Sequence, residues 1–189
     1  MSAWDRIRHK EATRYYQPNK LWRPLKDISP HLRKAVLAGE DQRFLSHHGF
    51  DFIELNQVIK EMALKNGGRG ASTISMQTAR TVFLWPKRSW LRKAGEAYYT
   101  VLIEILWSKE RTLEIYLNTV DWGSGLMGAE AASRKYFHRS SGRIFRHQAA
   151  LLAAILPNPD KWSPTNPSTW VLMRQKRILK DMKGMPLLN

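Results

Sequence analysis

The sequence predicts an all-α domain, and three observations predict it. Apolar residues recur at three- and four-residue spacing through most of the 189 residues. Serine, threonine or aspartate precedes these runs where helix caps belong. No stretch of convincing length alternates apolar with polar residues as a half-buried strand would. With no internal repeat and no low-complexity tract, one domain over residues 1–189 is expected.

The elements follow in order. Ser29 and Pro30 read as a cap and a first-turn proline opening HLRKAVLAGE. Asp51, with Glu54 three residues on, resembles a capping box before FIELNQVIKEMALK. Phe52, Leu55, Ile59 and Met62 mark one face of that helix, and Asn66-Gly67-Gly68 ends it. Ser72 or Thr73 caps TISMQTARTVF, which stops before Pro86. Ser89 opens the long run WLRKAGEAYYTVLIEILW, with Ala94, Ala97, Tyr98, Val101, Leu102 and Ile105 at helical spacing. KERTLEIYLN follows closely, then the alanine-rich GAEAASRKYF and HQAALLAAIL, the latter closed by Pro157 and Pro159. DKWSPTNPST reads as a loop and WVLMRQKRILKDM as a basic amphipathic helix. Gly67 to Gly70 is the expected flexible point, and residues 50–90 a separable lobe.

Composition narrows the partners. Against 16 acids stand 31 Lys and Arg, a net charge of +15, so the surface carries a positive field. Nucleic acid, anionic headgroups and phosphate-bearing substrates all fit that field. Eight tryptophans and six tyrosines suit an interface between apolar and wet phases as well as ordinary packing. The absence of cysteine removes disulfides and thiolate metal sites. No secretory leader is visible, and no apolar run reaches the roughly 18 residues of a spanning helix. Any anchor is expected upstream of this sequence.

Four stretches carry residues that do chemistry. In AGEDQRFLSHHGF, Glu40 and Asp41 sit where an apolar helix ends. Partial desolvation there raises a carboxylate's pKa toward acid–base use, whereas a salt bridge to Arg43 is the structural alternative. The adjacent His47 and His48 are a metal-ligand candidate or hydrogen-bonded structural imidazoles. In GGRGASTISMQTAR, the Ser72–Thr73 helix start is an anion site or a simple cap, with Arg80 two turns on. In RKAGE, Arg92, Lys93 and Glu96 share a helix face, as a surface ion pair or as a group facing phosphate. In SKERTLEIYLN, Glu114 and Asn118 are i,i+4 partners, with Lys109 two turns back. The stripe Arg174, Lys176, Arg177 and Lys180 reads as a solvated face or one that meets lipid headgroups.

In their order, GEDQRFLSHHGFDF, GGRGASTISMQTAR, RKAGE and SKERTLEIYLN resemble the signatures of the peptidoglycan glycosyltransferases. These are the glycosyltransferase family 51 domains of class A penicillin-binding proteins. The single-domain length, WSKERTLEIYLN and AALLAAILPNP are most similar to the monofunctional biosynthetic transglycosylases, over roughly residues 25 to 182. The first signature, E-D-x-x-F-x-x-H-x-G, is matched by Glu40, Asp41, Phe44, His47 and Gly49.

The resemblance implies a lysozyme-like helical head, about residues 20–50 and 91–185, with a smaller mobile jaw lobe at about 51–90. It implies placement at the periplasmic face of a bacterial cytoplasmic membrane, on the outer leaflet. The implied reaction polymerises lipid II into β-1,4 glycan strands with inversion and release of undecaprenyl pyrophosphate. Lipid II and the nascent strand are then the ligands, cell-wall synthases the candidate protein partners, and nucleic acid is not one. Glu40 and Glu96 are the implied catalytic carboxylates, Glu40 as the base. Glu96 is also the implied ligand for Mg2+ or Mn2+. Asp41, Ser72, Thr73, Gln77, Arg80, Arg88, Arg92, Lys93, Lys109, Glu114 and Asn118 are the expected substrate-binding residues. Two positions depart from the commonest family form: Met76 stands for a glutamine and Arg80 for a lysine. Both changes occur together in one type of class A protein, and arginine keeps the charge while adding a planar fork. The rivals are a lysozyme-like glycan-cleaving enzyme, which needs no pyrophosphate clamp, and a basic membrane- or nucleic-acid-binding protein, which needs neither glutamate.

Overall fold

The structure, a computed structural model, describes residues 21–63, 70, 72–87 and 89–188. Arg88, the expected helix end at residues 66–68 and most of the glycine segment 67–70 lie outside them, as does the side chain of Met62. Among the described residues there are eight α-helices and no strand, so the chain is all-α. They are α1 (Pro30–Glu40), α2 (Phe52–Ala63), α3 (Ile74–Phe83), α4 (Trp90–Leu106), α5 (Lys109–Thr119), α6 (Ala129–Phe137), α7 (Arg146–Ile155) and α8 (Thr169–Asp181). Short 3-10 turns at Leu25–Asp27 and Ser141–Arg143 flank α1 and α7 in the chain.

The expected caps form as hydrogen bonds. Ser29, Thr73, Ser89, Ser108 and Ser168 each accept a backbone N–H from the first turn of the helix that follows. Asp51 does the same for Ile53 and Glu54 at the start of α2.

The core gathers around α7. Ala149, Ala150, Leu152, Ala153, Ala154 and Ile155 are fully buried, and α1 and α8 both pack against this helix. Small side chains let helix axes approach closely, which is what a central helix with neighbours on two sides requires. Trp122, Tyr116 and Phe44 are the largest side chains in the core. Helix α3 packs on both α4 and α5 and so ties the long helix to the rest.

On α4 the expected inner face is turned outward. Tyr98, Val101 and Ile105 are exposed, whereas Glu96, Thr100 and Ile103 are buried. The same holds on α2, where Phe52, Leu55 and Ile59 are exposed and Val58 is buried. With Phe83, Trp85, Leu91 and Trp90, the last 92% exposed, these residues make an unusually apolar outer surface.

One buried carboxylate secures the far side of the core. Glu130 of α6 is 1% exposed and accepts hydrogen bonds from Arg23, Arg134, Ser140 and Ser141. Burial alone pushes its pKa up, but the donors outweigh it and hold the group at about 2, below the usual 4.5. A depressed carboxylate stabilises the fold above its unfolded pKa and loses that contribution as pH falls through the folded one. The shift corresponds to about 3 kcal/mol, lost between pH 4.5 and about pH 2. Glu130→Gln is therefore expected to lower the denaturant unfolding free energy by that order near neutral pH. It should also flatten the dependence of stability on pH in the acid window.

Candidate active site

The end of α1 places the first acid. Glu40 is its last residue, with a side chain 10% exposed. Arg174 of α8 donates to Oε1 at 3.0 Å, and Gln77 of α3 donates from Nε2 to Oε2 at 3.0 Å. Behind Gln77, the Tyr116 hydroxyl donates to its Oε1 at 3.3 Å. Burial pushes the Glu40 carboxyl above the usual carboxylate range. Gln77 and Arg174 pull it back in part, and the neighbouring Asp41 adds to the rise. The Tyr116 phenol is held well above its ordinary value, by burial first and the Glu40 charge second, so it remains a donor.

Asp41 is turned the other way. Its carboxylate meets His47 Nε2 at 2.9 and 3.1 Å and accepts the Ile74 N–H at 2.9 Å. Thr73 is buried, donates to the Gly49 carbonyl at 2.6 Å and accepts from Met76 N–H. At this helix start the Ile74 N–H is taken by Asp41 and the Met76 N–H by Thr73, so two donors of the expected anion site are engaged within the chain. Ser72 is half-buried and contributes its carbonyl to Gln77 Nε2 at 3.4 Å. Gly49 closes this corner with φ +87°, where a Cβ would lie 2.7 Å from Thr100 Cγ2. His48 is exposed and plays no part in the cluster.

The second acid is Glu96, buried to 1% on α4. Lys93 Nζ lies 2.6 Å from Oε1, and Arg80 and Arg92 each lie 3.9 Å from Oε2. Gln77 and Arg80 are three residues apart on α3, so one helical turn, about 5 Å, separates the residue touching Glu40 from the one facing Glu96. Three cations and one carboxylate leave this corner with a net positive charge of two.

Glu96 does not fit as a resident ligand for Mg2+ or Mn2+. Such ions take several oxygens, and both oxygens here face cations that a metal ion would have to displace. Among the described residues the one cluster with metal-like spacing is Asp41, His47 and Asp51, within 4.8 Å. Its carboxylates are already engaged by the Ile74, Ile53 and Glu54 N–H groups and by Arg43.

The remaining expectations sort by their partners. Lys109 Nζ donates to the His47 carbonyl at 2.8 Å and to Glu104 at 2.9 Å, and lies over the Phe44 ring at 4.6 Å. It braces the loop that carries Asp41 and His47. Glu114 accepts from Leu25 N–H, and Asn118 holds both Arg23 backbone groups with its amide. Both hold the segment before α1, and their i,i+4 spacing aligns them along it. Arg174, Tyr116 and Glu104 were missed as site residues. A signal existed for Arg174, which shares a face with Val171 and Ile178, so a cation on an apolar stripe pointed to a buried partner.

A biosynthetic peptidoglycan transglycosylase of Bacteroides thetaiotaomicron is 49% identical over 165 residues, 87% of this chain and 66% of that protein. A protein of the same name from Bdellovibrio bacteriovorus is 50% identical over 161 residues, 85% of this chain and 64% of the other. One from Chromohalobacter salexigens is 50% identical over 164 residues, 87% and 70% respectively. The chain thus spans about two thirds of the length of these relatives. The family model described as Transglycosylase matches residues 8–183, and the chain belongs to that family.

Proposed function

We propose that this chain polymerises lipid II into β-1,4 glycan strands, inverting the donor's anomeric carbon and releasing undecaprenyl pyrophosphate. The observation that carries the reading is a desolvated, oriented Glu40 whose partner Gln77 lies one helical turn from Arg80, in a corner of net positive charge. In the reaction the acceptor's 4-hydroxyl gives its proton to Glu40 as its oxygen bonds to the anomeric carbon. The bond from that carbon to the pyrophosphate oxygen breaks, and its electron pair leaves with the pyrophosphate. A pyrophosphate diester is a dianion, so the leaving group needs charge neutralisation more than a proton. Arg80, Arg92 and Lys93 supply it, with Glu96 keeping the three cations apart and aimed.

The apolar outer surface of α2, α3 and α4 suits a lipid-linked substrate. Trp85, Trp90 and Tyr98, with Lys87 and Lys93 exposed in the same stretch, make an aromatic and basic rim of the kind that lies on a membrane surface. Residues 51–90 would then act as the jaw against the outer leaflet. Among the described residues no helix is long and apolar enough to cross the membrane.

Incubation with labelled lipid II, followed by gel separation of the products, tests the reading. A glycan polymer is expected, with no shortening of preformed glycan. Cleavage of preformed glycan without polymer formation would instead make the chain a lysozyme-like hydrolase.

A further inference from the structure

Glu40 is held at both oxygens by groups from two different helices, and a third helix holds one of those groups in turn. On one side stands Arg174 of α8, whose Nη2 donates to Oε1 at 3.0 Å and to the Gly39 carbonyl at 2.8 Å. Three carbonyls at the end of α1 find partners there, Leu37 with Asp41 N–H, Ala38 with Gln42 Nε2 and Gly39 with Arg174. The close approach of α8 depends on Gly39, where a Cβ would meet Ile178 Cδ1 at 3.2 Å and Ala153 Cβ at 3.6 Å. On the other side, Gln77 can give only its Nε2 hydrogens to Glu40, because its Oε1 receives the Tyr116 hydroxyl. A flipped amide would set two acceptors against each other at Glu40 and leave the phenol proton without a carbonyl.

We propose that Arg174 and Tyr116 are positioning residues for Glu40, forming with Gln77 a clamp that aims the carboxylate at the acceptor hydroxyl. Neither residue needs to touch the sugar. Arg174 sets the direction and charge of one oxygen directly, and Tyr116 sets the other through the amide of Gln77. The charged and titratable groups around Glu40 are Arg174 from α8, Tyr116 from α5 and Asp41 beside it, with Arg80 one turn beyond Gln77 on α3. Of these, Arg174 is the one cation in hydrogen-bond contact with the carboxylate. Its loss therefore makes ionisation of Glu40 harder.

The proposal rests on the base role given to Glu40, and the test separates the two. Wild type, E40Q, R174K, R174Q and Y116F are compared for lipid II polymerisation across pH and for the carboxyl carbon titration of Glu40 by NMR, assigned by its absence in E40Q. In R174Q the Glu40 midpoint and the acidic limb of kcat should move together to higher pH, by about one unit. At neutral pH kcat should fall about 10- to 100-fold with KM within about 3-fold. R174K should recover part of both shifts. Y116F, which removes only a hydroxyl, should lower kcat about 3- to 10-fold with KM unchanged, and it keeps the proposal open to refutation if R174Q fails to fold. An unmoved Glu40 midpoint in R174Q, or unchanged kcat in Y116F, overturns the clamp. Full activity in E40Q overturns the base assignment instead, whatever the titration shows.

Discussion

Glu40→Gln is expected to abolish glycan polymerisation while leaving the fold in place. The amide has the shape of the carboxylate and still accepts from Arg174, so the junction of α1 and α8 keeps its hydrogen bond. What it lacks is a lone-pair site basic enough to take the acceptor's proton. A positioned general base contributes typically 10²- to 10⁴-fold, so a fall of about 10³-fold or more is the expected size. The matching wild-type observation is an acidic limb. Activity depends on the ionised carboxylate, and burial holds Glu40 above the ordinary range, so activity is lost on acidification earlier than for an exposed glutamate. Polymer yield from labelled lipid II, with far-UV circular dichroism as the fold control, checks both. Synthesis within about tenfold of wild type would sink the assignment.

Glu96→Gln is the second large effect. It removes the one anion among Lys93, Arg80 and Arg92 and leaves their mutual repulsion unopposed. Removing one partner of a buried pair costs up to about 3–5 kcal/mol, but Lys93 and Arg80 reach solvent, so a stability loss of about 1–2 kcal/mol is expected. Activity should fall about 100-fold or more, because a leaving-group site works only with its charges held in position. Both oxygens of Glu96 face cations, so the fall should be the same with added Mg2+ as with a chelator. Retained polymerisation in this variant would reduce the cluster to a structural ion pair.

Much of the local structure was legible in the chain. Five of the eight helices open on a serine or threonine whose hydroxyl takes a first-turn N–H, and capping is a contact between near neighbours. The cluster at Glu96 was legible for the same reason, since Arg92 and Lys93 lie one turn away on the same helix. Glu40 could be placed at a helix end beside an apolar run, but its partners could not. Gln77, Tyr116 and Arg174 come from 37, 76 and 134 positions away in the sequence, and spacing carries no information over such separations. Asp41 is a similar case. Its place beside Glu40 was legible, but not that it accepts the first N–H of a helix that begins 33 residues later.

Helix α4 shows where the boundary falls. The chain itself determined that α4 is a helix, that Ala94, Tyr98, Val101 and Ile105 share one face, and that Glu96 and Thr100 share another. Periodicity states which residues lie together, but not which face meets the rest of the protein. That choice was made by α3, which packs against α4 along its polar side and brings Arg80 to Glu96. An acid flanked by three cations can be buried at tolerable cost, and the apolar side is left facing outward.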